Sequence, residues 1–223
     1  MSARHGQRQR RETITDLLIC SFLQLVGIPT NKVLALLIHR PGGTPTFSLT
    51  KGIDMSPPNL VTQSFLNVLE NLPSAHPKII AISSTGLTRT SYKALPLLLK
   101  PFYSYILPLV HKDKCGIEEV IAHCVGRSLD ARYSVGDEIL GANWENRLPL
   151  GRGQLQSIVV VRPALLTDGE CRGDVKGSGA YRVNEGDVES SWTVSRRDVA
   201  HFLVEGVVNH WQDWKGKCVS IAY

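Results

Sequence analysis

No pair of cysteines in this chain is set C-x-x-C, and no H-E-x-x-H occurs among its histidines. The five cysteines, Cys20, Cys115, Cys124, Cys171 and Cys218, are odd in number and widely spaced. That spacing excludes a zinc ribbon and a disulfide framework, and fits reduced thiols in an intracellular, cytoplasmic protein. The seven histidines are equally dispersed, so no metal site is expected. Long apolar runs are also missing. The longest, "ITDLLICSFLQLVGI", carries Asp16 and Gln24 and falls short of the roughly 20 residues a membrane-spanning helix needs. It follows an arginine-rich start, as a secretory signal would, but "PTNKVL" offers no small-x-small cleavage site. Glu12 and Asp16 argue against a mitochondrial presequence. An amphipathic helix is the expectation for this run.

What remains is an ordinary globular mixture. The chain has 223 residues, 43% hydrophobic and 20% charged, enough for one domain with a sizeable core. Its net charge of +5 is uneven, with Arg4, Arg8, Arg10 and Arg11 crowded at the start. Such a run reads as a solvated tail, or as a short arm for nucleic acid or a membrane surface. No aromatic residue interleaves with the arginines, so a stacking platform for bases is not supported and no specific nucleic acid is expected.

Four short runs look like strands buried on both faces: 33–38, 78–83, 157–163 and 217–223. They are apolar without polar alternation, as parallel strands covered on both sides are. Helical patterns lie between them. "SPPNLVTQSFLNVLENL" places Ser56 as N-cap and Leu60, Phe65, Leu66, Leu69 and Leu72 on one side. "HKDKCGIEEVIAHCV" is a second helix. "SRRDVAHFLVEGVVNHW" is a third, capped by Ser195, with Val199, Phe202, Leu203 and Val207 inward. Alternating strand and helix predicts an α/β fold with a parallel sheet and flanking helices. The expected division is a basic tail and amphipathic helix over 1–30, then one domain over 31–223. A glycine- and charge-rich segment at about 126–156 interrupts it; the readings are a functional loop, a disordered insertion or an error in the coding sequence.

Ligands of such sheets bind beyond the carboxyl ends of the strands. Three of those ends carry suitable groups. After 33–38, Gly42 and Gly43 permit close backbone approach and Thr44 and Thr46 offer hydroxyls, although a tight turn explains the glycines equally well. After 78–83 come Ser83, Ser84 and Thr85 in "SSTG". After 157–163 come Thr167, Asp168 and Gly169, with Arg162 and Pro163 closing the strand.

The order "GGTPTF … IIAISSTG … HKDKCGIEEVI … IVVVRPALLTDG … GAYRV … WTVSRRDVAHFLVEGV … WKGKCVSIAY" resembles the atypical short-chain dehydrogenases/reductases. The NmrA-like, flavin reductase/biliverdin reductase B and averufin oxidase types are the nearest in pattern. The resemblance runs from about residue 33 onward. It implies a Rossmann-like fold and an oxidoreductase using NADP or NAD on a small carbonyl or aromatic polyketide-like substrate, in a fungal-type secondary pathway. It further implies that Ser83 and Ser84 lie beside the nicotinamide and substrate, and that Arg162 and Pro163 line the nicotinamide side. Gly42, Gly43, Thr44 and Thr85 complete the implied cofactor residues. The family's Y-x-x-x-K pair is matched at Lys114, but Val110 stands in the tyrosine's place. His111, one turn before Lys114, is the proposed proton donor because imidazole titrates near neutrality. A solvated basic helix start is the plainer reading of "HKDK". Tyr103 and Tyr105 are further donors, Glu118 is expected to form a helix-surface ion pair with Lys114, and Asp198 to tie a helix start to the backbone.

The family's opening G-x-x-G-x-x-G turn, which grips the diphosphate, has no counterpart here. The half that holds the dinucleotide is therefore read as missing or replaced. Three readings stay open: weak cofactor binding through the second half, a cofactor-free binding or regulatory relative, or a coding sequence truncated or misassembled at its start. An exposed sheet edge would then need cover, from the amphipathic helix or from a second copy in a homodimer.

Overall fold

The computed structural model describes residues 24–28, 34–39, 45–48, 52–72, 77–87, 92–93, 95–101, 108–128 and 134–223. Its strands are β1 Gln24–Ile28, β2 Leu34–His39, β3 Pro45–Ser48, β4 Gly52–Met55, β5 Lys78–Ile82, β6 Ile158–Pro163, β7 Leu165–Thr167, β8 Arg182–Glu185, β9 Thr193–Ser195 and β10 Cys218–Ala222. The main sheet has the order β1-β2-β5-β6-β10-β8. Its four inner strands run parallel, while β1 and β8 close the two edges antiparallel. The helices are α1 Leu60–Glu70, α2 Pro108–Val125, α3 Asp137–Leu140, α4 Gly173–Lys176, α5 Arg196–His201 and α6 Trp211–Trp214. This is the expected α/β fold.

The apolar strand runs are explained by cover on both faces. Ile79, Ala81, Ile158 and Val160 pack with α1 and α2, through Phe65, Leu66, Ile117 and Ile121. Ile80, Ile82, Val159 and Val161 point the other way, against Val199, Phe202 and Leu203 of α5 and its continuation. Each of these inner strand residues is at most 6% exposed, and full burial of one such side chain stabilises the fold by about 1.5–3 kcal/mol. On α2 the spacing 117, 120, 121, 124 presents Ile117, Val120, Ile121 and Cys124 as one stripe. Gly116 lets α1 approach closely, because a Cβ there would collide with the Thr62 side chain.

Five expectations need correction. The first helix begins at Leu60 rather than after Ser56, which is exposed. Its cap comes from a distant part of the chain: Asp113 of α2 accepts from the backbone N–H of Val61 at 2.7 Å and of Thr62 at 2.8 Å. Two orphan donors of the helix end are thus satisfied without a local cap. Asp113 is therefore buried, not part of a solvated "HKDK" face.

The end of the expected amphipathic helix, 24–28, is strand instead, because its backbone pairs with the otherwise open edge of β2. Residues 1–23 lie outside the described set. Of the three readings of 126–156, a disordered insertion does not hold over 134–156, since Ile139, Leu140 and Leu155 are buried in the core. Arg147 binds it to α1 through Glu70, Gln63 and Asn67. The third helix is not α-helical throughout; it turns π-helical over Phe202–Val208.

The α5 start is held by one buried carboxylate. Ser195 Oγ caps it, accepting from Asp198 N–H at 2.9 Å. Asp198 in turn accepts from Gly173 N–H at 2.8 Å, from Ser195 Oγ at 3.0 Å and from Tyr223 Oη at 2.5 Å. Burial alone would raise this carboxyl, but the donations from Tyr223, Gly173 and Ser195 outweigh it and hold the group below its ordinary 3.8. The sign follows: a depressed carboxyl stabilises the fold above its unfolded value, and that contribution fades as pH falls through the folded value. Urea unfolding between pH 7 and pH 3 should therefore give a shallower acid-side loss for Asp198→Asn than for the wild type, from a starting stability about 2 kcal/mol lower. Parallel curves would deny Asp198 this role.

Candidate functional site

Backbone bonds carry the ladder past the ends of the inner strands. Ser83 N–H donates to Val161 O, Thr85 N–H to Pro163 O and Ala164 N–H to Ile221 O, at 2.8, 3.0 and 3.0 Å. The tips of β5, β6 and β10 thus share one edge. His39 at the end of β2 pairs with Ala81, which brings that tip to the same edge. Gly42, Gly43 and Thr44 beyond it lie outside the described residues, as do Tyr103 and Tyr105.

A buried ionic cluster underlies this edge. Arg162 follows Ile158 and Val160 in strand parity, so its side chain enters the α2 face. There Glu118 meets it in a bidentate pair, Nε to Oε1 at 2.8 Å and Nη2 to Oε2 at 2.6 Å. Ser83 Oγ donates to the same Oε1 at 2.6 Å. Asp187, before β9, stands 3.9 Å from Arg162 Nη1. The side chains of Arg162 and Glu118 are only 11% and 8% exposed. Burial alone would lower the guanidinium's affinity for its proton; the charge and hydrogen bonds of Glu118 overcome that and hold it above the ordinary arginine value. Glu118 is thus the hub of a three-element contact, not the surface partner of Lys114 expected from the sequence.

Lys114, one turn earlier on α2, brings its ammonium to 3.5 Å from the Ser83 carbonyl oxygen. Ser83 is buried, Ser84 half-buried and Pro163 buried. The structure therefore brings together Ser83, Lys114 and Arg162, with Ser84, Thr85 and Pro163 in the adjoining backbone. Thr85 Oγ1 is buried and has no hydrogen-bond partner among the described residues. An unsatisfied hydroxyl at a strand tip is what a ligand donor or acceptor would complete.

His111 behaves otherwise than expected. Burial, and then the charge of Lys114, push its imidazole down to about 4, so it is neutral at physiological pH rather than titrating there. The described thiols are held in the protonated form as well. Burial raises Cys115 and Cys124 to about 12 and Cys171 to about 11. All four cysteines among the described residues are free thiols, and no cluster of three or more metal-ligating side chains occurs among those residues.

No family model matches the chain. It is similar to the reductase pytE of Aspergillus terreus, 26% identical over 223 residues that cover 95% of this chain and 75% of that protein. Among solved structures it aligns with a short-chain dehydrogenase/reductase of wide type from Veillonella parvula, in complex with NADP, at 11% identity and a TM-score of 0.47. That alignment covers 73% of this chain and 57% of the other. A Rossmann-fold NAD(P)-binding family protein from Shigella flexneri aligns at 14% identity and a TM-score of 0.36, over 79% and 56% of the two chains. The chain thus spans just over half the length of these solved proteins.

Sequence reasoning gave Glu118 the wrong partner and did not single out Asp113 or Asp187. For Glu118 the signal was present: Arg162 lies in phase with the buried face of β6, and a buried guanidinium needs a carboxylate nearby. The two hydroxyls give opposite expectations. Ser83→Ala removes a donor from a buried carboxylate and should cost about 1.5–3 kcal/mol. Thr85→Val removes an unpartnered one and should leave stability within about 1 kcal/mol of wild type or raise it. Equal losses in thermal unfolding would refute this reading of the cluster.

Proposed function

We propose that this chain is an NAD(P)-dependent reductase of a small carbonyl or aromatic polyketide-like substrate, acting in secondary metabolism. The observation that carries the reading is the convergence of Lys114, Ser83 and Arg162 at the tips of two parallel strands. Its similarity to a fungal reductase supports it. A bound nicotinamide dinucleotide would supply the hydride.

The chain's own residues divide the remaining work. Lys114 holds a ribose hydroxyl, and its ammonium would give the substrate oxygen the proton it needs as hydride arrives, to be replaced from solvent. Ser84, at the end of the strand, orients that oxygen. The buried pair of Arg162 and Glu118 does not touch the ligand; it fixes the tip of β5 through Ser83. His111, neutral above about pH 4, offers an N–H for positioning rather than a proton supply. Thr85 and Pro163 line the cofactor side, with Gly42, Gly43 and Thr44 proposed to approach from β2.

A second reading, a catalytically silent Rossmann-like binding or regulatory protein, is favoured by specific observations. Arg162 spends its guanidinium on Glu118, His111 is no proton donor at neutral pH, and the sequence carries no glycine-rich diphosphate turn.

Titration with NADPH, followed by nicotinamide fluorescence, tests the first reading. A saturable change is expected, and Lys114→Met should weaken it about tenfold, the equivalent of one charge-assisted hydrogen bond. No change at millimolar cofactor would overturn the reductase. Saturable binding without oxidation by a panel of quinones and aromatic aldehydes would favour the silent protein.

A further inference from the structure

The connection from β5 to α2 presents two leucines to solvent. Leu97 and Leu98 are 78% and 80% exposed, the only sequence neighbours among the large apolar side chains exposed in the described residues. A single exposed leucine needs no explanation, whereas an adjacent pair on a fixed turn does.

The turn is fixed from below. Leu95 and Pro96 are buried and root the segment in the protein. Leu97–Leu99 then forms one 3-10 turn, closed by Leu99 N–H donating to Pro96 O at 2.9 Å. Across its neck Tyr92 Oη donates to Lys100 O at 3.2 Å, and the Lys100 ammonium lies 5.9 Å from the centre of the Tyr92 ring. The two leucines therefore stand out from a closed loop, and water around them carries a cost that burial would remove.

The charge beside them has one sign. Between Glu70 and Asp113 the sequence contains no aspartate or glutamate, while Lys78, Arg89, Lys93, Lys100 and Lys112 all fall in that interval. Lys93 and Lys100 flank the leucines, and no carboxylate among the described residues holds either of them. In sequence Tyr103 and Tyr105 follow, of the residue type that settles at headgroup level. Leucines at the tip with lysines at the shoulders suit an anionic bilayer surface. A second copy seated symmetrically on the same tip would instead bring the lysines of both copies together, which repulsion opposes.

We infer that the loop carrying Leu97 and Leu98 is a peripheral docking site for an anionic lipid bilayer. The leucines enter the acyl boundary, and Lys93 and Lys100 meet the headgroups. The loop joins the two elements that bear Ser83 and Lys114, so docking seats the bilayer beside the strand-tip edge. The inference does not depend on the reductase reading.

Flotation of the full chain with vesicles is the test, using phosphatidylcholine alone and phosphatidylcholine with about one third phosphatidylserine. Partition onto the anionic vesicles should be at least about tenfold stronger than onto the neutral ones. The double variant Leu97→Ser, Leu98→Ser should lose about tenfold in partition, and Lys93→Gln, Lys100→Gln a similar amount, both with thermal unfolding unchanged. Soluble glycerophosphoserine should not compete, which separates a bilayer from a bare headgroup. Absent flotation, equal flotation with the two vesicle types, an undiminished variant of either kind or displacement by glycerophosphoserine would each overturn the inference. So would a dimer in sedimentation velocity that the leucine variant abolishes.

Discussion

The buried pair of Glu118 and Arg162 is the constraint on which the strand-tip edge depends. A guanidinium at this depth is tolerable only with a carboxylate against it, and a carboxylate there only with its lone pairs occupied. Arg162 meets both oxygens of Glu118, and Ser83 takes up further acceptor capacity on one of them. Three elements, α2, β5 and β6, are thereby fixed in mutual register by one cluster. The position of Lys114 follows, since it sits one helical turn from Glu118 and reaches the Ser83 carbonyl. Asp113, its neighbour on α2, points instead to the start of α1. A single helix thus caps one element, anchors two strands and delivers a cation to their tips.

Much of this architecture was legible in the residues. The runs at 78–83, 157–163 and 217–223 are strands because their unbroken apolar character suits burial on both faces, and the helix stripes at Phe65, Leu66 and Leu69 and at Val199 and Leu203 follow from helical spacing. The Ser195 cap was legible too, being local in sequence. Long-range partners were not. Asp113 caps a helix whose first turn lies 51–52 residues earlier in the chain, so nothing in the local motif "HKDK" separates it from a solvated charge run. The Ser56 expectation failed for the same reason. Glu118 was misread because the i,i+4 rule offered Lys114 as an economical partner, while the stronger claim came from a strand 44 residues away. The strand at 24–28 was hidden by an apolar run too short to separate helix from strand by period.

The sheet divides the chemistry. One face and its tips carry the buried ion pair and Lys114. The other carries the aromatic core of Tyr181, Phe202 and Trp211. The edge of β2 is occupied by β1, paired antiparallel, which removes an open row of backbone donors and acceptors.

A double-mutant cycle on Glu118→Gln and Arg162→Met, read as urea unfolding free energies, tests the organising role of the pair most directly. Each single change should cost about 3–5 kcal/mol and the double change clearly less than their sum, leaving a coupling of about 2 kcal/mol or more. Additive losses, or a coupling near zero, would mean that the two side chains do not depend on each other and that the strand tips are held by other means.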